Sequence, residues 1–373
     1  MEDTLLKKID EISDEMISGI KRIVQIDSVQ REAKPGMPFG EGINTALEET
    51  LKLACELGFE TENVDHMVGI AKYGTGEDYI GIMGHLDVVP VGEGWNYAPF
   101  SAYEDENGRI YSRGILDNKG PTLSCLYALY AIKELGIELK YPVYILFGTN
   151  EETGFNDLKH FLEVRKPPIM GWTPDCKYPV VYAERGRSAY RVSTDIENKT
   201  VFNQFINDYI LSDNGFANKL GLDIDDPEFG KMQLNNKRLV DLDEKLGFDF
   251  SFSYPASMSN DTIKERIKSK LTKELHVECI HNYNPVFFDK NGFLCKTLQS
   301  AYEDITGTDG TPVTTTGGTY AKIMPNIVPF GPSFPGQRGI GHNPNEWMDR
   351  NDLILNAKIY ALSIVRLANG END

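Results

Sequence analysis

Apolar positions in the chain repeat first at helical spacing, then as short continuous runs, and the two patterns alternate. Leu5, Ile9, Ile12, Met16, Ile20 and Ile23 fall on one helical face, which predicts an amphipathic helix over about residues 4–26. A Pro/Gly loop at 34–38 separates it from a second helix over 44–57, ended by Gly58. Residues 67–73, 79–83, 141–147 and 180–183 are short apolar runs of the kind that form buried strands. Pro121 sits in the first turn of a helix that runs to Leu135 and stops at Gly136. Strands alternating with helices predict an α/β fold, a mixed sheet with helices on both faces.

The pattern changes near Ser188. Residues 189–194, 232–234, 238–242 and 248–254 read as strands of polar–apolar alternation, 276–280 as a further strand, and 201–211 as a helix. Ile263, Ile267 and Leu271 mark a second helix. This describes a small α+β unit, a truncated ferredoxin-like lid with helices on one face. The α/β pattern returns with a helix at 293–305, a strand at 327–330 and a helix at 352–367. The expected organisation is a discontinuous larger domain, 1–187 and 288–373, interrupted by an inserted lid domain at 188–287.

Composition narrows the function. A formal charge of -18 argues against nucleic acid or an anionic membrane as a partner. The five cysteines lack CxxC spacing, which points to free thiols in a reducing cytoplasm. The acidic start of the chain is unlike a signal peptide, and no apolar run reaches membrane-spanning length.

The chemistry concentrates in five places, several of them just past expected strands, where α/β proteins bind ligands. His85 and Asp87 lie two apart in Gly84-His85-Leu86-Asp87-Val88-Val89-Pro90, so on an extended backbone they point the same way. Asp117 lies in Arg113-Gly114-Ile115-Leu116-Asp117-Asn118-Lys119-Gly120-Pro121, Glu151 and Glu152 in Gly148-Thr149-Asn150-Glu151-Glu152-Thr153-Gly154. Asp175 follows Thr173-Pro174, and His342 begins His342-Asn343-Pro344-Asn345-Glu346. Taken singly each has an ordinary explanation: Asp117 reads equally as a helix cap and Asp175 as an Asx-turn. Together, two imidazoles and three carboxylates suit a pair of borderline metal ions such as zinc, with manganese or cobalt also compatible with N/O donors. A further carboxylate is then needed as general base, and the Glu151-Glu152 doublet can supply one ligand and one base. His66, His160, His276 and His281 lack such contexts. No GxGxxG, P-loop or GxSxG pattern is present.

These motifs, in this order, resemble the co-catalytic dinuclear-zinc metallopeptidase family that includes carboxypeptidase G, aminoacylase and the PepV-type dipeptidases, the last branch most closely. Gly317-Gly318-Thr319-Tyr320 is part of the same likeness. The resemblance implies one zinc held by His85, Asp117 and Asp175, and another held by Asp117, Glu152 and His342, with Asp117 bridging. It implies Glu151 as the general base of a metal-activated water, Asp87 as the orienter of His85, and a cis peptide after Asp117, where position 118 is often Asp rather than Asn. Gly317, Gly318 and Thr319 would offer donors to the substrate. The implied activity is hydrolysis of a dipeptide or short peptide by a monomer or a homodimer formed through the inserted domain. An N-acyl amino acid amidohydrolase and a catalytically weak metal-binding relative are the alternatives.

The departures fall in the insert. No His occurs between Ser188 and Glu274, where the family's lid carries one, and the insert is shorter than the dipeptidase branch expects. A strand that usually ends Arg-Tyr-Pro reads Ser253-Tyr254-Pro255, which lacks the guanidinium fork suited to a substrate carboxylate.

Overall fold

The computed structural model describes residues 1–370. Its principal strands are β1 (Glu60–Val64), β2 (Val68–Tyr73), β3 (Ile80–His85), β4 (Val143–Gly148), β5 (Met170–Thr173), β6 (Gly186–Asp195), β7 (Gln233–Leu242), β8 (Lys245–Tyr254), β9 (His276–Tyr283) and β10 (Ile327–Pro329). The chain divides into two compact units. One comprises Met1–Val181, Asp289–Val313 and the chain from Thr319; the other comprises Tyr182–Phe288 with Thr314–Gly318. The second unit therefore starts before the expected boundary at 188 and takes in a short later segment. The Arg185 N–H donates to Thr315 O at 3.3 Å, and Arg187 Nη2 to Thr316 O at 3.0 Å, which ties that segment to it.

The first unit is built on a mixed six-stranded sheet in the order β1-β2-β4-β3-β5-β10. β1, β2 and β4 are joined antiparallel, while β4, β3, β5 and β10 run parallel. Parallel strands covered on both faces need apolar side chains throughout. β3 obeys this, with every residue from Ile80 to His85 buried. The helix Lys119–Glu134 packs so closely on β3 that a Cβ at Gly84 would sit 1.9 Å from Thr122 Oγ1. That helix packs in turn on the C-terminal helix Arg350–Asn369.

The long first helix is in fact two, Glu2–Glu11 and Ser13–Val24, broken at Ile12 although the apolar spacing continues across the break. The strands expected at 232–234 and 238–242 are one strand, β7, carrying an irregularity between Asn235 and Arg238. An extra residue in a strand looks like a loop in sequence because it breaks the two-residue alternation.

The second unit follows the order βαββαβ, with an antiparallel sheet β7-β8-β6-β9. This is the ferredoxin-like arrangement. Phe248, Phe250, Phe252 and Tyr254 alternate along β8 and pack with Phe202, Phe205, Ile263 and Ile267 from the helical side. All five cysteines are free thiols. Among the described residues no helix is long and apolar enough to cross a membrane.

Candidate metal centre

His85 ends β3, and its ring is fully buried. Nδ1 lies 2.8 Å from the Asp87 main-chain oxygen and 3.4 Å from Asp87 Oδ1. An acceptor at Nδ1 places the proton there and leaves the Nε2 lone pair available to a metal ion. Nε2 lies 3.1 Å from Asp117 Oδ1 and 3.7 Å from Asp175 Oδ2. On the other side of the same carboxylate, His342 Nε2 lies 2.9 Å from Asp117 Oδ2 and 3.0 Å from Glu152 Oε1. Asp117 thus turns one oxygen to each imidazole. Two triads that could each hold a metal ion result, His85/Asp117/Asp175 and Asp117/Glu152/His342, and the donor atoms within each triad all lie within 4.8 Å of one another.

Asp87 does more than face His85. Its carboxylate accepts the main-chain N–H groups of Glu151 at 3.1 Å and Glu152 at 3.0 Å. One buried acid therefore fixes both the ring and the Glu151-Glu152 doublet. The Asp117–Asn118 peptide is cis. Asn118 joins three segments: Oδ1 accepts from the His85 N–H at 3.3 Å and from Thr122 Oγ1 at 2.7 Å, while Nδ2 donates to Pro174 O at 2.6 Å. An Asp at position 118 would lack that last donor.

Several supporting residues were not singled out from sequence. Glu346 is fully buried, and its Oε1 accepts the N–H groups of Gly114 and Leu116 at 3.0 Å and of Asp117 at 3.1 Å. Its Oε2 meets Arg113 Nη1 at 2.7 Å in a buried ion pair. Glu346 thereby shapes the loop that presents Asp117. Asp157 Oδ2 accepts from Thr149 N at 2.7 Å, from Asn150 N at 3.0 Å and from the Tyr320 hydroxyl, bracing the turn that carries Glu151 and Glu152. Glu346, Arg113 and Tyr320 carried a signal only as members of the quoted motifs, Glu346 closing His342-Asn343-Pro344-Asn345-Glu346. Asp157 gave none, since an acid in a first helical turn is commonplace.

Electrostatics follow from crowding. Burial and the neighbouring Asp175 charge push Glu151 well above the usual carboxylate range, and burial likewise raises Glu152. Burial opposes the charge on Asp117, but the two imidazoles outweigh it and hold that carboxyl low. His342, facing Asp117 and Glu152, is pushed up to about 11. Asp117, Glu151 and Glu152 form no ion pair with lysine or arginine among the described residues. A convergence of carboxylates and imidazoles of this kind is the donor set that a divalent ion completes.

Gly317 and Gly318 belong to the second unit and Thr319 to the first. The Gly317 N–H is engaged by Thr315 Oγ1 at 3.2 Å, and Thr319 Oγ1 caps a short 3₁₀ turn through Ala321 N at 3.2 Å. His66 and His160 make ordinary contacts with Asn44 and Asp65.

Fold and cluster define the class, a metal-dependent hydrolase. The chain belongs to peptidase family M20/M25/M40, whose profile matches residues 81–366, and it is a metallopeptidase of that family. It is 29% identical to "Putative dipeptidase YtjP" of Bacillus subtilis, over 95% of this chain and 97% of that protein. It is 27% identical to the "Beta-Ala-Xaa dipeptidase" of Lactobacillus delbrueckii, over 96% and 97%. The YtjP alignment spans 454 positions, more than the 373 residues here, so that relative carries residues with no counterpart in this chain. Human carnosine dipeptidase 1 shares the fold at a TM-score of 0.72, with 16% identity over 99% of this chain and 100% of that one. The Saccharomyces cerevisiae dipeptidase Dug1p does so at 0.73, with 15% identity over 99% and 98%.

Proposed function

We propose that the chain is a dinuclear-zinc dipeptidase that hydrolyses the peptide bond of dipeptides or short peptides in the cytoplasm. The observation that carries this is Asp117, whose two oxygens face two different imidazoles at 3.1 and 2.9 Å. His85, Asp117 and Asp175 would hold one ion, and Asp117, Glu152 and His342 the other. Bound there, zinc would supply Lewis acidity toward the scissile carbonyl and acidify a water. Glu151 is held at its N–H by Asp87 and is not a member of either ligand triad, so its carboxylate is available as general base. It takes a proton from the attacking water as the carbon–oxygen bond forms. It returns that proton to the departing amine nitrogen as the carbon–nitrogen bond breaks. The likeness to a putative dipeptidase and to a Beta-Ala-Xaa dipeptidase supports dipeptides as the substrate class.

The test is Glu151→Gln assayed on a panel of free dipeptides and N-acyl amino acids, with metal content measured in parallel. Loss of a general base lowers kcat by ~10²–10⁴, and metal content should stay at two ions per chain. Undiminished turnover would remove Glu151 from the mechanism. Turnover of N-acyl amino acids alone would replace the dipeptide assignment.

A further inference from the structure

A small cavity of about 210 Å³ opens beside the candidate metal cluster, and all its lining residues belong to the first unit. Leu116, Pro332 and Ile340 give it apolar surface, and Asp117 and Asp175 border it from the cluster. Sites for whole small molecules usually run to ~300–1,000 Å³, so this one has room for a single side chain rather than a complete dipeptide. Glu151 and Glu152 are not part of the lining.

Among the described residues Arg338 is the one cation of that lining. It is exposed and forms no ion pair or side-chain hydrogen bond among the described residues. The residues on either side of it are, by contrast, fixed. The Gln337 N–H donates to Phe334 O at 3.0 Å, its Oε1 accepts from the Phe334 N–H at 2.9 Å, and its Nε2 donates to Asp352 Oδ2 at 2.7 Å. Asp352 lies in the first turn of the C-terminal helix, which ties this turn to the body of the unit. Past Arg338, Asn343 Nδ2 donates to Gly339 O and Gly341 O, both at 3.1 Å. The loop then runs so near the cluster that a Cβ at Gly341 would lie 3.4 Å from Asp117 Oδ2. The backbone that carries Arg338 is thus held on both sides while its guanidinium is uncommitted. A cation presented in this way loses little freedom of its backbone when it binds an anion.

We infer that Arg338 makes this cavity a selectivity pocket for an acidic side chain on the amino-terminal residue of the dipeptide. The inference rests on the hydrolytic reading given above. In that reading the departing amine takes its proton from Glu151 and so lies toward Glu151. The acyl half of the substrate is then left on the side of Asp117 and Asp175, where the cavity opens. A guanidinium fork matches a carboxylate with two parallel N–H donors. Without it, the carboxylates of Asp117 and Asp175 would repel an acidic side chain placed beside them. Arg338 meets the substrate away from the reacting bond, so it determines which dipeptide is accepted and takes no part in the chemistry.

The experiment compares kcat/KM of the zinc-loaded full-length chain on Glu-Ala, Gln-Ala, Leu-Ala and Lys-Ala. Glu-Ala and Gln-Ala match in size and share the terminal carboxylate, so their ratio isolates the side-chain charge. Wild type should favour Glu-Ala over Gln-Ala by roughly tenfold or more, as a charge-assisted contact allows. Arg338→Ala should bring that ratio close to one, Arg338→Lys should keep part of it, and Arg338→Glu should favour Lys-Ala over Glu-Ala. Calorimetric titration of Glu-Ala and Gln-Ala into Glu151→Gln, where turnover does not intervene, should show the same preference in Kd. A purely structural role would make Arg338→Ala lower all four substrates together and leave the ratio where it was, which would overturn the inference. Wild type that hydrolyses these dipeptides without preferring Glu-Ala to Gln-Ala, or equal affinities in Glu151→Gln, would overturn it while leaving the dipeptidase reading in place. Wild type that hydrolyses none of the four would overturn the dipeptidase reading, and this inference with it.

Discussion

The two units bury opposite kinds of residue. Behind the candidate metal cluster of the first unit lie charged and polar groups: Asp157, Glu346, Arg113, Asn118 and Lys119, all essentially inaccessible. Each is held by main-chain atoms or a neighbouring side chain; the Lys119 ammonium, lowered to about 7 by burial, donates to Ile26 O at 2.7 Å. The core of the second unit is aromatic and aliphatic, with polar residues left on the outer face of its sheet. Apolar packing favours compactness without dictating where a loop atom lies, whereas a satisfied buried hydrogen bond fixes a distance and a direction. The first unit uses such bonds because six side chains and one shared carboxylate must converge. The second needs a rigid sheet more than it needs a defined point in space.

That contrast can be broken from either side. The largest effect should come from Glu346→Ala, which strands the buried Arg113 charge and orphans three N–H groups of the Asp117 loop. Breaking a buried ion pair from one side costs ~3–5 kcal/mol, so thermal melts should show a strongly destabilised chain, and zinc affinity should fall with it. Phe250→Ala in the second unit should lose a comparable ~3–4 kcal/mol of stability through cavity formation, yet metal analysis should still find the wild-type content. A variant that lost metal as well would contradict the division of labour.

A smaller, pH-dependent effect sharpens the same point. Burial pushes the Asp157 carboxyl up to about 6 from 3.8, so the folded chain holds this proton more tightly than the unfolded one. Its contribution is complete below the unfolded value and is lost as pH rises through about 6. The loss approaches roughly 3 kcal/mol at 1.36 kcal/mol per pKa unit. Urea denaturation of wild type and Asp157→Asn between pH 4 and 7 should show the wild-type advantage shrinking as pH rises. A constant difference would mean that this buried carboxyl does not titrate as described.

Much of this architecture was legible in the sequence, for identifiable reasons. The sheet strand β3 is a continuous apolar run, and the segments that carry His85, Asp117, Glu151, Glu152 and His342 are compact local motifs. What escaped was long-range or short. β5 presents Asp175 but is a four-residue strand, Met-Gly-Trp-Thr, with neither alternation nor β-branched enrichment to reveal it. Glu346 acts on residues some 230 positions earlier and Tyr320 reaches Asp157 across 163, separations that no local pattern encodes. The break at Ile12 was hidden because the apolar spacing continues across it, whereas the irregularity in β7 interrupted the two-residue alternation and made one strand read as two.

Zinc titration of metal-free protein tests most directly whether Asp117 is shared by two metal sites. Wild type should take up two ions per chain, Asp175→Ala and His342→Ala one each at high affinity, and Asp117→Ala neither. Two tightly bound ions in Asp117→Ala, or a single ion in wild type, would contradict the account.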